Sequence, residues 1–177
     1  MAGLRPERLT DALRKVKVVA MDLDGVLTDG RIIVDSNGVE SKNFDVQDGF
    51  GIIFLKKCGI KTAIISARDS AVGAYRAKDL KIDKLCVGVY PKLGAYESML
   101  EEFAALDGQV CFVGDDLADL KIMRRCGVAV AVANAVFEVK QAADYVTTRP
   151  GGRGAVRETI ELILKAQGHW GPQLYEH

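Results

Sequence analysis

The chain has 177 residues, and its 24 lysines and arginines balance its 24 aspartates and glutamates, so the formal net charge at pH 7 is zero. This balance gives no support for a nucleic acid or an anionic membrane as partner. No apolar run approaches the length of a membrane span, and the N-terminus lacks the hydrophobic region of a signal peptide. The four cysteines are widely spaced in or beside apolar runs, as is typical of reduced thiols in a cytoplasmic protein. We therefore expect one cytoplasmic domain over residues 1–177.

Short apolar, β-branched runs alternate with amphipathic segments along the chain. We predict strands over residues 17–21, 61–66, 84–87, 109–113, 128–132 and 145–147. We predict helices over residues 5–15, 50–57, 70–80, 92–106, 118–125, 135–142 and 155–166. This alternation indicates parallel βαβ units, so the chain is predicted to be an α/β protein with a doubly wound, Rossmann-like parallel sheet and helices on both faces.

One segment interrupts the alternation directly after the first strand. Residues 31–35 and 40–44 flank a short polar stretch that contains Asn37 and Gly38. An Asn-Gly pair favours the positive φ angles of a tight turn. We therefore predict a β-hairpin over residues 31–44, inserted into the α/β pattern.

Two carboxylates stand where the first strand ends, in the segment MDLDGVLTDG that begins at Met21. In an open α/β sheet, ligands bind at the edge formed by the carboxyl ends of the strands. Asp22 and Asp24 would require a counter-charge in a dry interior, and Mg²⁺ prefers oxygen ligands. The pair therefore indicates a divalent cation, with solvated turn aspartates as the plainer alternative.

Polar residues also follow three later strands, where they would meet these aspartates at the same edge of the sheet. In chain order they are Ser66, Ala67, Arg68, Lys92, Asp115, Asp116 and Asp119. Each group alone has an ordinary explanation, such as a helix cap or a solvated lysine. Together and in this order, over about residues 17–146, the four strand ends resemble the motifs of the haloacid dehalogenase (HAD) superfamily of phosphotransferases.

The resemblance implies catalytic roles for Asp22, Asp24 and Lys92. Asp22 would attack phosphorus to form an aspartyl-phosphate, while Asp24 would protonate the leaving oxygen and then deprotonate the attacking water. Lys92 would place a positive charge near Asp22 and a phosphate oxygen. Mg²⁺ would be held by Asp22, by Asp24 through its backbone carbonyl, and by Asp115.

The remaining motif residues would assist these groups. The Ser66 hydroxyl and the adjacent amide of Ala67 would bind phosphate oxygens. Asp116 and Asp119 would support the waters of the metal and Lys92 rather than ligate the ion directly.

Longer sequence segments indicate a particular family within this superfamily. The intervals between the motifs leave no room for a cap domain, and the segments DGVLTDG, FDVQDGFG, GDDLADL and RPGGRGAVRE resemble the 3-deoxy-D-manno-octulosonate 8-phosphate phosphatase family. That resemblance implies a capless, Mg²⁺-dependent homotetramer that releases phosphate and the free octulosonic acid for bacterial lipopolysaccharide synthesis. It also implies that the hairpin forms the tetramer core, and that the tail from about residue 149 contributes to closing the site.

An acidic sugar phosphate needs partners for its carboxylate and hydroxyls. Arg68 and Arg76 are near two helical turns apart, so we expect them to point the same way and to bind the carboxylate. Arg153 in the glycine-rich tail offers a further charge, and Asp24 is a further substrate contact. The candidate hydroxyl ligands lie in the loop predicted before the second helix, and they are Asp45, Val46, Gln47, Asp48 and Gly49. The alternatives are solvated side chains at Arg76 and Arg68, Asp48 as a helix N-cap, and an ordinary glycine-rich turn before the last helix.

Two departures from the family pattern concern phosphate and sugar recognition. Ala67 stands where glycine is common, and Ile53 stands where some members carry a basic residue. A phosphatase for a nine-carbon acidic sugar phosphate is the nearest alternative, although relatives with that specificity carry an acidic residue where this chain has Arg68. A receiver-like signalling domain and a non-catalytic scaffold are alternatives of a different class. The receiver gives no reason for a second carboxylate two residues after the first, and the scaffold is disfavoured because every position needed for the chemistry is filled.

Overall fold

The structure is a computed structural model that describes residues 6–176 of the chain. The strands are β1 (Val18–Met21), β2 (Ile33–Val34), β3 (Glu40–Ser41), β4 (Lys61–Ile65), β5 (Lys84–Cys86), β6 (Val110–Gly114), β7 (Val128–Ala131) and β8 (Tyr145–Val146). The helices are α1 (Pro6–Leu13), α2 (Val46–Lys57), α3 (Ala71–Asp79), α4 (Leu93–Glu102), α5 (Leu120–Met123), α6 (Phe137–Ala142), α7 (Ala155–Ala166) and α8 (Pro172–Tyr175).

Six strands of the described chain form one parallel sheet, in the order β5-β4-β1-β6-β7-β8. Strand β1 lies between β4 and β6, and all of its residues are buried. Helices α1, α2 and α7 pack together, and α4, α5 and α6 form a second packed group. The strand order reverses at β1, which places a ligand crevice beside the carboxyl end of that strand. The predicted doubly wound α/β fold is confirmed.

The predicted hairpin is present, with shorter paired strands than the sequence indicates. Strands β2 and β3 are antiparallel, and Ile33 pairs with Ser41. A further antiparallel bridge joins Thr28 to Phe44, so the base of the hairpin is tied to the loop that follows β1. The hairpin also carries exposed apolar side chains, which are Ile32, Ile33, Val34 and Val39.

Helix α2 begins earlier than predicted, at Val46 rather than at residue 50. Asp45 is its N-cap, because the Asp45 side chain accepts a hydrogen bond from the Gln47 amide at 2.6 Å. Residues 46–49 therefore form the first helical turn instead of a loop, and the alternative of Asp48 as the N-cap of this helix is wrong. The error arose because the chain offers two aspartates at this point, and Asp48 has a distant partner that local sequence does not indicate.

Other element ends differ modestly from the predictions. The segment predicted as one helix over residues 118–125 is a 3₁₀ turn over Leu117–Asp119 followed by the short α5. Helix α8 was not predicted, and its Leu174 is buried against the body of the protein. Within the described residues, no helix is both long enough and apolar enough to span a bilayer.

Candidate active site

Asp22 and Lys92 meet at the carboxyl end of the sheet. The Asp22 amide donates to the Val113 carbonyl at 3.0 Å, which extends the pairing of β1 with β6 by one residue. The Asp22 Oδ1 atom accepts a hydrogen bond from the Leu23 amide at 2.7 Å and lies 2.9 Å from Lys92 Nζ. Only 1% of the Lys92 side chain is exposed, so its ammonium is held at this point by carboxylates rather than by water.

Asp119 orients Lys92 and the loop after β6. Its Oδ1 atom accepts from Lys92 Nζ at 2.8 Å, and its Oδ2 atom accepts from the amides of Asp115 and Asp116 at 3.0 and 3.3 Å. Both oxygens of this fully buried carboxylate are therefore engaged by the protein. This arrangement suits a supporting role for Asp119. The exposed Asp116 caps the 3₁₀ turn by accepting from the Leu117 amide at 2.7 Å.

The carboxylates of Asp22, Asp115 and Asp119 each offer an oxygen atom within 4.8 Å of the others, which is the spacing of a metal site. Among the described residues, Asp115 Oδ1 is buried and has no hydrogen-bond partner. Burial, together with the charges of Asp22 and Asp119, raises the pKa of Asp115 to about 8. Burial also raises the pKa of Asp22 to about 6, against the opposing effect of Lys92. Three carboxylates face one lysine here, so the donor set fits a divalent cation with oxygen ligands.

Gly25 allows the loop after β1 to approach Asp115. Its φ angle is +94°, and a Cβ atom at this position would lie 2.1 Å from Asp115 Oδ2. A side chain at position 25 would therefore displace the carboxylate that faces Asp22.

The structure adds Lys42 to the site, and sequence reasoning missed it. The Lys42 ammonium forms an ion pair with Asp24 Oδ1 and lies 3.4 Å from Glu40 Oε1. Within the described residues, Asp24 Oδ2 is buried and has no hydrogen-bond partner. Part of the signal was in the sequence, because Glu40, Lys42 and Phe44 alternate along the predicted strand over residues 40–44 and so share one of its faces.

The predicted phosphate loop follows β4. Ser66 is buried, its Oγ atom accepts from the Arg68 amide at 3.3 Å, and Ala67 is exposed. Arg68 Nη2 donates to Glu40 Oε1 at 3.0 Å, and Ser70 Oγ donates to Glu40 Oε2 at 2.7 Å. The hairpin thus contacts both the acid/base candidate and the phosphate loop.

Arg76 is directed to partners other than those of Arg68. It donates to Asp79 Oδ2 at 2.5 Å, and its guanidinium lies 5.7 Å from the centre of the Phe44 ring. Gly49 makes room for it, since a Cβ atom there would lie 2.5 Å from Arg76 Nη2. Arg68 and Arg76 thus have different carboxylate partners in this structure, although both contact the hairpin strand, and their joint binding of a substrate carboxylate stays a prediction.

Asp48 connects α2 to the tail. Its buried carboxylate accepts from the amides of Gly154 and Arg157, at 3.2 and 2.7 Å respectively. Burial raises the pKa of Asp48 to about 6, and these two hydrogen bonds oppose that shift. Asp48 therefore caps the start of α7, where both of its oxygens are engaged, and its contact with the sugar stays a prediction. The neighbouring Gln47 accepts from Arg149 Nη1 at 3.0 Å.

The glycine-rich tail lies against the loop after β1. A Cβ atom on Gly151 would lie 1.7 Å from the Gly25 carbonyl oxygen, and one on Gly152 would lie 2.4 Å from the Asp29 amide. The Gly152 amide donates to the Val26 carbonyl at 2.9 Å. The expected close backbone approach is confirmed, and the tail carries the exposed Arg153 next to this loop.

The comparisons with known proteins agree with this geometry. A family model described as haloacid dehalogenase-like hydrolase matches residues 88–158. The 3-deoxy-D-manno-octulosonate 8-phosphate phosphatase of Haemophilus influenzae is 40% identical over 156 residues, which cover 88% of this chain and 87% of that protein. The enzyme of the same name from Escherichia coli K12 is 43% identical over 86% of this chain and 81% of its own length. The chain belongs to this phosphatase family.

A solved structure of a family member extends the agreement to the whole fold. The 3-deoxy-D-manno-octulosonate 8-phosphate phosphatase of Moraxella catarrhalis, in complex with magnesium ion, phosphate ion and KDO, superposes with a TM-score of 0.91 at 42% identity. The match covers 94% of this chain and 95% of that one. Membership in a family of phosphatases removes the receiver-like and scaffold alternatives.

Proposed function

We propose that this protein hydrolyses 3-deoxy-D-manno-octulosonate 8-phosphate to 3-deoxy-D-manno-octulosonate and phosphate, with Mg²⁺, as a step in lipopolysaccharide precursor synthesis. The observation that carries the proposal is the buried cluster of Asp22, Lys92, Asp115 and Asp119 at the switch point of the sheet, in a chain of this family. Residues 1–177 act as a single catalytic domain without a cap.

Asp22 is the nucleophile in this proposal. Its contacts with the Leu23 amide and Lys92 fix the carboxylate before the substrate arrives, so that little reorganisation is needed for attack on phosphorus. The bond from phosphorus to the sugar oxygen breaks as the bond to the Asp22 oxygen forms, giving an aspartyl-phosphate. Asp24 gives a proton to the departing sugar oxygen and then takes one from the water that hydrolyses the intermediate.

The negative charge of the phosphoryl group is stabilised by the surrounding residues and by the cation that they would hold. Asp22, Asp115 and the backbone carbonyl of Asp24 would hold Mg²⁺, which supplies charge neutralisation when it is bound. Lys92, the Ser66 hydroxyl and the amide of Ala67 bind phosphoryl oxygens. Asp119 keeps Lys92 in place, and its loss would leave a buried ammonium with one partner fewer.

Recognition of the sugar acid falls to Arg68 and Arg153. Arg68 follows the phosphate loop, and 43% of its side chain is exposed, so it is available to a carboxylate. Arg153 lies in the tail that packs beside the loop of Asp24. Hydroxyl contacts are assigned to the start of α2, at Asp45, Val46 and Gln47, where Gln47 already accepts from Arg149 of the tail.

The homotetramer is the proposed assembly. The hairpin exposes Ile33, Val34 and Val39, and α2 exposes Val46 and Phe50. An apolar surface of this kind on a protein without a cap favours burial against another copy of the chain. The cytoplasm is the proposed location, since the four cysteines all lie in the described range and none forms a disulfide.

A panel of acidic sugar phosphates tests the substrate. We expect kcat/KM to be highest for the eight-carbon octulosonate phosphate, lower for a nine-carbon nonulosonate 9-phosphate, and zero after EDTA until Mg²⁺ is added. Arg68→Ala and Arg153→Ala should raise KM for the sugar phosphate about tenfold while changing it less than about twofold for p-nitrophenyl phosphate. A higher kcat/KM for the nine-carbon ester would show that the proposed substrate is wrong. Equal rises in KM for the sugar phosphate and p-nitrophenyl phosphate would show that Arg68 and Arg153 do not recognise the sugar.

A further inference from the structure

The inner face of the hairpin carries two charged residues outside the four strand-end motifs, Glu40 and Lys42, and they link Asp24 to Arg68 in a row of alternating charges. Lys42 joins Asp24 to Glu40, and Glu40 in turn joins Lys42 to Arg68. This row of charges runs from Asp24, the acid/base candidate after β1, to Arg68, beside the phosphate loop after β4. Two negative and two positive groups make it electrically balanced.

Lys42 is more deeply buried than the two carboxylates that it contacts. Only 1% of its side chain is exposed, against 19% for Asp24 and for Glu40. A buried ammonium is costly unless carboxylates surround it, and removing it leaves those carboxylates facing one another. The position of Lys42 is therefore set by Asp24 and Glu40, and the orientation of Asp24 is set by Lys42.

The backbone around this contact is also fixed. Phe44, two residues after Lys42, bridges Thr28. Thr28 is fully buried, and its Oγ1 atom accepts from the amides of Gly25 and Gly30 at 3.2 Å each. The hairpin strand and the loop that carries Asp24 are thus joined at two places, one through the backbone and one through the ion pair.

We propose that Lys42 is a positioning residue for Asp24, which it holds by Oδ1 in the orientation needed to protonate the leaving oxygen. The other carboxylate oxygen, Oδ2, has no partner among the described residues, and it is the atom left to exchange the proton. This inference rests on the proposed phosphatase function. Because Lys42 belongs to the hairpin, protonation of the leaving group would depend on the position of the hairpin.

The proposal has a kinetic signature that a structural role lacks. An ester with a good leaving group, such as p-nitrophenyl phosphate, departs with little help from an acid, whereas phenyl phosphate needs a proton donor. For an enzyme that forms a covalent intermediate, kcat/KM reports the steps up to departure of the leaving group. Misplacing Asp24 should therefore steepen the decline of kcat/KM with rising leaving-group pKa.

The experiment measures kcat/KM for a series of aryl phosphates of similar size with wild type, Lys42→Met and Lys42→Arg. We expect Lys42→Met to lie within about threefold of wild type on p-nitrophenyl phosphate and at least about 30-fold below it on phenyl phosphate. Lys42→Arg keeps the charge, so its dependence of kcat/KM on leaving-group pKa should lie between those of Lys42→Met and wild type. Lys61→Met is the matched control, since Lys61 also pairs with a carboxylate, Asp83, but begins β4 at the opposite edge of the sheet.

A loss by the same factor on every ester would overturn the proposal and leave Lys42 as a structural residue. Where thermal melting shows that Lys42→Met does not fold, Lys42→Gln, which also lacks the ammonium, carries the test, and a slope identical to that of wild type overturns the proposal. A wild-type protein inactive on every ester would instead contradict the proposed function, so the two failures are distinguishable.

Discussion

The Asp22 carboxylate and the Lys92 ammonium lie 2.9 Å apart, and Lys92 also bonds Asp119 at 2.8 Å. One lysine is thus shared by two carboxylates, while Asp115 retains a buried oxygen without a partner among the described residues. This excess of negative charge is the reason why the site requires a cation.

Replacing Asp22 by asparagine should abolish turnover without unfolding the protein. The amide oxygen is a poor nucleophile, so we expect kcat to fall by at least about a thousandfold. The change also removes a negative charge from a site where burial raises the pKa of Asp22 to about 6. In EDTA at neutral pH the thermal midpoint should therefore equal or exceed that of wild type. Asp11→Asn, at an exposed aspartate of α1, is the control that should leave both quantities unchanged; retained turnover in Asp22→Asn would exclude the covalent mechanism.

Asp48 should give the stability of the protein a specific pH dependence. Its pKa is about 6 in the folded protein, against 3.8 for an ordinary aspartate, so its protonated form is favoured by folding. The contribution is fully present below about pH 4 and is lost as pH rises through 6, on the order of 3 kcal/mol in all. Urea unfolding of wild type and Asp48→Asn between pH 4 and 7 measures it. The difference in unfolding free energy between the two should shift in favour of the variant as pH rises, and a pH-independent difference would be contrary to this assignment.

Gly151 should tolerate no side chain. A Cβ atom there would lie 1.7 Å from the Gly25 carbonyl, so Gly151→Ala must move either the tail or the loop that carries Asp24. We expect a loss of about 2 kcal/mol in the free energy of unfolding and a fall in kcat/KM. Gly108→Ala is the matched control, because a Cβ atom at Gly108 meets nothing within 4 Å. Wild-type behaviour of Gly151→Ala would show that the tail packs elsewhere.

The hairpin should govern assembly. Ile33→Lys places a charge on its exposed apolar face, and light scattering should then report a smaller species than the tetramer expected of wild type. Leu106→Lys introduces the same change at an exposed leucine outside the hairpin and should not alter the mass. A monomeric wild type would contradict the proposed assembly.

The sequence was sufficient to place the residues at the strand ends. Asp22, Lys92 and Asp115 follow strands whose parallel order brings their carboxyl ends to one edge, so local pattern and topology together predict their meeting. Strand alternation places Lys42 on one face with Glu40, but its contact with Asp24 was beyond such reasoning, because the two residues are distant in the chain. The contacts of Asp48 with α7 were beyond it for the same reason. The start of α2 was misjudged for the same reason, since the hydrogen bonds of Asp48 to α7 left Asp45 to cap the helix.

The central claim is covalent phosphoryl transfer at Asp22, and trapping the intermediate tests it most directly. The protein is mixed with the octulosonate 8-phosphate and Mg²⁺, quenched in acid during turnover, digested and examined by mass spectrometry. We expect one phosphoryl group on the peptide that contains Asp22, and none in Asp22→Asn or in EDTA. Rapid turnover with no phosphorylated peptide, or with the group on another residue, would contradict the account.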